Sequence, residues 1–164
     1  MASVDLARGE PVAKRISRRT REKWSPVEIT ATRNSARAGD VRSQCLLGAI
    51  YASGSGGRKD ARVSFAWYEK AASSGDADGL FNTGVMLVLG EGVARDVQSG
   101  LNRLRKAARK GNWMAAETLG QYYEFGLSPD VKPNRRIAKH WYRLAANFGS
   151  LRAREALSQI LRNI

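Results

Sequence analysis

Few side chains in this 164-residue chain could do chemistry. Cys45 is the one cysteine and His140 the one histidine. A cysteine nucleophile needs a base or a cationic neighbour to lower its thiol pKa, and the residues flanking Cys45 supply no base. One Cys and one His do not make a zinc site of the usual kind, and a lone Cys cannot close an internal disulfide. His140 stands beside Trp141 with no second ligand at helical spacing, so it reads as a surface or packing histidine. No Ser is followed by Lys in S-x-x-K spacing, which removes one route to an activated hydroxyl. "GSGG" at Gly54 to Gly57 and "GEG" at Gly90 to Gly92 have the composition of phosphate cradles. They lack the preceding strand and the Lys-Ser/Thr or third Gly that such motifs place at fixed spacing, and they read as turns between helices. No catalytic residue, cofactor or metal is expected.

Binding is the remaining class of function. The formal net charge is +13, which suits an acidic partner, nucleic acid or an anionic membrane surface, and also plain solubility. Part of the charge lies in "RGEPVAKRISRRTREK", Arg8 to Lys23, where Lys14, Arg15, Arg18, Arg19, Arg21 and Lys23 crowd together with few apolar residues. Residues 1–24 are therefore expected to form a basic, disordered arm, which either is a solvated leader or meets anionic lipid or nucleic acid. The N-terminus has no apolar signal-peptide core, and Asp5, Glu10 and Glu22 argue against a transit peptide. No run approaches the ~18 apolar residues of a membrane span. A bacterial, cytoplasmic protein is the simplest expectation.

The elements that must position these residues announce themselves by recurrence. Gly48, Gly84 and Gly120 are spaced by 36 residues; Gly39, Gly75, Gly111 and Gly149 by 36, 36 and 38. Tyr51, Leu87 and Tyr123 fall 36 apart, and the pairs Ala71-Ala72, Ala107-Ala108 and Ala145-Ala146 fall 36 and then 38 apart. A period of this size signals stacked helical pairs. Helix A of each unit is expected near Val41–Ala52, Ala77–Leu89 and Trp113–Phe125, on apolar residues at three- and four-residue steps. Asp60, Asp96 and Asn134 precede the three helices B, and Asp40, Asp76 and Asn112 precede the helices A; all are good N-caps. "WSPVE" reads as a capping box with Ser25, Pro26 and Glu28. The paired alanines and lone glycines predict close helix crossings, with Trp67, Tyr51 and Leu47 filling the remaining volume.

The pattern resembles the Sel1-like repeat family, relatives of the tetratricopeptide repeats. In the first unit the resemblance is carried by "LLGAIYASGSGG" and "WYEKAASSGDA". The second unit departs from it, with Arg103 and Leu104 where Trp and Tyr stand elsewhere, and the third has a longer loop. The resemblance implies an all-α fold, a right-handed α-solenoid of about three helix-turn-helix repeats with half-repeats at both ends. The expected division is a half-repeat at 25–39, repeats at 40–75, 76–111 and 112–149, and a terminal helix at 150–164. It also implies a scaffold for other proteins, often in bacterial signalling or envelope regulation, with helix A lining the concave face.

In that register the groove positions are Arg42, Cys45, Ala49 and Ala52; Asp78, Phe81, Val85 and Val88; and Met114, Glu117, Gln121 and Glu124. Its middle is apolar with acids around it, which suits a peptide or helix of a partner protein better than a phosphate backbone. The cations gather on helix B instead, as in Arg103, Arg105, Lys106, Arg109, Arg136, Lys139 and Arg143. A basic module docking on membrane or nucleic acid through the arm and the helix-B face is the alternative.

Overall fold

A computed structural model describes residues 24–127 and 129–162. Eight α-helices make up the described part: α1 (Pro26–Arg37), α2 (Val41–Ser53), α3 (Ala61–Ser73), α4 (Ala77–Leu89), α5 (Val97–Arg109), α6 (Trp113–Phe125), α7 (Arg135–Asn147) and α8 (Leu151–Arg162). Each packs on its neighbours in sequence, and α6 also touches α8. The result is an all-α repeat solenoid in which α2, α4 and α6 are the helices A and α3, α5 and α7 the helices B.

The boundaries follow from side-chain capping. Asp40, Asp60, Asp76, Asp96, Asn112 and Asn134 each accept from the backbone N–H three residues on. Ser25 and Glu28 form the reciprocal box expected of them. A cap of this kind is worth about 1 kcal/mol, so the seven together set where helices can begin. The N-cap residues also close the loops through their own N–H groups. Asp60 donates to Tyr51, Asp96 to Leu87 and Asn134 to Tyr123, at 2.6–2.9 Å. Each turn from helix B to the next helix A passes through a left-handed residue, Gly75 at φ +78° being one, which a side chain would strain. The two-residue insertion of the third unit is absorbed in its loop, where Leu127 and Val131 form an isolated antiparallel bridge.

Helix-on-helix packing explains the 36-residue glycines. A Cβ on Gly48 would stand 2.7 Å from the Tyr68 ring, and one on Gly120 would stand 2.6 Å from the Tyr142 ring. Helix B lays an aromatic face flat against the bare backbone of helix A. In the second unit Leu104 replaces the aromatic, and α4 and α5 close the gap: a Cβ on Gly100 would stand 2.7 Å from the Gly84 carbonyl oxygen. The alanine pairs lie at similar crossings, with Ala71, Ala107, Ala108 and Ala145 wholly buried.

Two core expectations need correction. Leu47 is buried as read from the sequence, but Tyr51 and Trp67 are half-buried against its cluster. Trp67 carries the Lys70 ammonium 4.3 Å over its ring. Tyr68, the next residue and about 100° further round the helix, is the one that enters the interface.

Candidate functional site

The helix-A positions expected to face a ligand divide into three groups. Arg42 and Gln121 are exposed, while Ala52, Asp78, Phe81, Val85, Met114 and Glu124 are half-buried. Cys45, Ala49, Val88 and Glu117 are buried, which corrects their reading as groove residues. Val88 is 1 % exposed because its side chain fills the space beside Gly100 on α5.

Cys45 and Glu117 hold successive units together. The Cys45 thiol donates to Asp76 Oδ1 at 3.1 Å, and Asp76 is the N-cap of the next helix A. Glu117, in the equivalent place two units on, accepts from the Ser150 hydroxyl at 2.5 Å, and Ser150 in turn accepts from the Ala153 N–H at the start of α8. In the middle unit this place is taken by Phe81, which has no polar atom to offer. Asp78, one turn earlier, does the work instead and accepts from Asn112 Nδ2, the side chain that caps α6, at 2.8 Å. Each clamp thus tethers one helix A to the cap of the next. A buried polar group left without its partner costs about 1–3 kcal/mol, which argues for keeping these residues as pairs.

The environment of Cys45 disfavours the thiolate that nucleophilic chemistry needs. Burial, and then the hydrogen bond to Asp76, push its thiol well above the usual range. The thiol form therefore persists at pH 8, and the native protein is expected to react with a disulfide reagent only as it unfolds. Comparing labelling rates with and without denaturant checks this; equal rates would contradict it.

Phe81 and Val85 behave differently from the clamps. Both rest partly on the core, yet both also line a cleft of about 150 Å³ at the junction of α2, α3 and α4. Ala52, Ala61, Tyr68 and Met86 line it with them, and a Lys59–Glu91 ion pair of 3.1 Å stands at its lip. The third unit shows what is unusual here. There the Tyr142 hydroxyl donates to Glu124 at 2.6 Å. In the first unit the equivalents are Tyr68 and Ala52, and alanine cannot accept. The Tyr68 hydroxyl has no hydrogen-bond partner among the described residues. Burial pushes it above its ordinary pKa, so it stays a donor.

Tyr68 was missed by sequence reasoning, although its 36-residue equivalence to Leu104 was visible. Also missed were two pairings 72 residues apart, in which the Arg33 and Arg105 guanidiniums donate to the Tyr51 and Tyr123 hydroxyls at 3.2 and 2.8 Å. The cations of helix B lie on α3, α5 and α7 as read from the sequence. Lys14, Arg15, Arg18, Arg19, Arg21 and Lys23 lie outside the described residues. Among the described residues there is no cluster of His, Cys, Asp and Glu that could hold a metal ion. No described helix is long and apolar enough to cross a membrane.

Comparisons with known proteins agree with this architecture. The family model described as "Sel1 repeat" matches residues 41–76, 77–112 and 113–149. The chain is similar to a crystal structure of a Sel1 repeat protein from Oxalobacter formigenes, with TM-score 0.70 and 26% identity, over 88% of this chain and 57% of that one. It is also similar to c5321, described as a protective antigen present in uropathogenic Escherichia coli strains displaying an SLR fold. There the TM-score is 0.69 and the identity 30%, over 81% of this chain and 29% of that one. Protein SHC1 of Saccharomyces cerevisiae is 31% identical over 110 residues, 66% of this chain. The chain spans 22% of the length of that curated relative.

Proposed function

Because the chain belongs to the Sel1 repeat family, whose members generally mediate protein–protein interaction, we propose that it is a non-enzymatic adaptor that holds a peptide or helix of a partner protein on its helix-A face. The observation that carries this reading is the cleft between Ala52, Tyr68, Phe81 and Val85. It offers an apolar recess and one unsatisfied hydroxyl donor, the combination that seats an apolar side chain while fixing the carbonyl of its backbone. Asp78 and Glu124 are half-buried on the same succession of helices A and favour basic residues flanking that anchor. The proposal extends to a cytoplasmic role in bacterial signalling or envelope regulation. Its support is that both solved structures named above come from bacteria.

The test is a selection from a random peptide library lacking Asp and Glu, so that the basic helix-B face cannot drive enrichment. Enriched peptides should bind the native chain and lose about tenfold or more in affinity, per folded molecule, with Val85→Glu. Enriched peptides indifferent to Val85→Glu would remove the cleft as the site.

A further inference from the structure

The strongest unbalanced charge among the described residues is on α5 and α7. The two helices carry Arg103, Arg105, Lys106 and Arg109, and Arg135, Arg136, Lys139 and Arg143, with no carboxylate on either. Between them lies a recess of about 620 Å³. Arg105 and Arg109 face it from α5, and Arg136, Lys139, His140 and Arg143 from α7. Tyr123, Ile137 and Trp141 complete the lining.

The repeat itself shows how such a step is balanced. Between α3 and α5, one unit earlier, Arg103 donates to Glu69 through both terminal guanidinium nitrogens, Nη2 to Oε1 at 3.0 Å. Moved on by one unit, the place of Glu69 is held by Arg105 and the place of Arg103 by Trp141. The internal carboxylate is gone and a cation stands where it was. Arg105 is engaged only by neutral oxygens, of Asn102 and Tyr123, each at 2.8 Å. Arg109, Arg136, Lys139 and Arg143 have no ion-pair partner among the described residues. Five cations around one recess repel one another, and an external anion relieves that repulsion.

We infer that the α5–α7 recess takes an acidic segment of a partner protein, its Asp or Glu carboxylates meeting the cations that line it. Two observations favour a peptide over nucleic acid. The internal precedent is a carboxylate held in a two-point contact by Arg. The largest ring in the lining, Trp141, is 7 % exposed and so gives a base little face to stack on. Ile137, half-buried in the recess, gives an apolar side chain of the segment a place to rest. This surface is distinct from the helix-A cleft, so it stands whether or not that cleft binds a peptide.

The experiment uses the full chain, a fluorescently labelled peptide of Asp and Glu with one central Phe, and a single-stranded oligonucleotide of equal charge, at physiological salt. The peptide should bind, and more tightly than the oligonucleotide. Arg109→Glu with Arg143→Glu should weaken peptide binding by about tenfold or more. Arg58→Glu with Arg62→Glu, which changes net charge equally but lies on the first unit, should leave it within about twofold. Melting curves of both variants check that they fold. Four results overturn the inference: no peptide binding, equal loss in the two double variants, no loss in R109E/R143E, or tighter binding of the oligonucleotide.

Discussion

Tyr142→Ala is expected to destabilise the protein by about 3–5 kcal/mol, the loss of a fully packed aromatic. Tyr142 is 2 % exposed, its ring lies within 2.6 Å of where a Gly120 Cβ would be, and its hydroxyl is bonded to Glu124. Truncation opens a void against bare backbone that cannot collapse, and it leaves a half-buried carboxylate without its donor. Trp67→Ala is the informative contrast. Its larger ring is half-buried and partly covered by Lys70, so its loss should cost under about 2 kcal/mol. Denaturant unfolding of both variants decides the matter. A Trp67 effect equal to or larger than that of Tyr142 would mean that the first aromatic of the pair, not the second, faces the glycine.

Gly100→Val is the second large effect, and Gly100→Ala gives it a sign that propensity alone would get wrong. Replacing a mid-helix Gly by Ala favours the helix by about 1 kcal/mol where the side chain has room. At Gly100 there is none. A Cβ would stand 2.6 Å from Val88 Cγ2 and 2.7 Å from the Gly84 carbonyl oxygen, and the second of these is backbone. The α4–α5 pair would have to separate, disturbing Leu101 and Leu104, both essentially inaccessible. Gly100→Ala should therefore destabilise by about 1–3 kcal/mol and Gly100→Val by more. A stabilising Gly100→Ala in thermal melts would show that the two helices do not meet at that point.

What was legible in the sequence is what acts on backbone. The caps at Asp40, Asp60, Asp76, Asp96, Asn112 and Asn134 and the turn at Gly75 are local, so residue type and position suffice to read them. The glycines at Gly48, Gly84 and Gly120 were legible as close crossings for the same reason. The facing partner was missed. Trp67 and Tyr68 are adjacent and both large, and Trp141 and Tyr142 repeat both in the third unit; the sign that the second of the pair points at the glycine is Leu104 beside Arg103 in the second unit. The clamps were hidden more deeply. Cys45, Asp78 and Glu117 find partners 31, 34 and 33 residues away, across the repeat boundary. Polar or small residues on a helix-A face look like a ligand surface until the next unit's cap is set against them. The basic helix-B face was read correctly as a concentration of charge. Its recess could also have been found, by comparing Glu69 with Arg105 at the repeat period rather than counting apolar positions alone.

The repeat has thus been varied at the places where its units touch. In the first unit Ala52 leaves the Tyr68 hydroxyl unpaired beside a cleft, and between the second and third units Arg105 leaves a recess without its carboxylate. The central reading is that the first of these places receives a partner segment. Amide chemical-shift mapping on the isotope-labelled full chain, titrated with a peptide from the acid-free selection, tests it most directly. The largest changes should fall on Ala52, Tyr68, Phe81 and Val85 and saturate together. Saturating changes confined to α7 and α8, with those four amides unmoved, would contradict it.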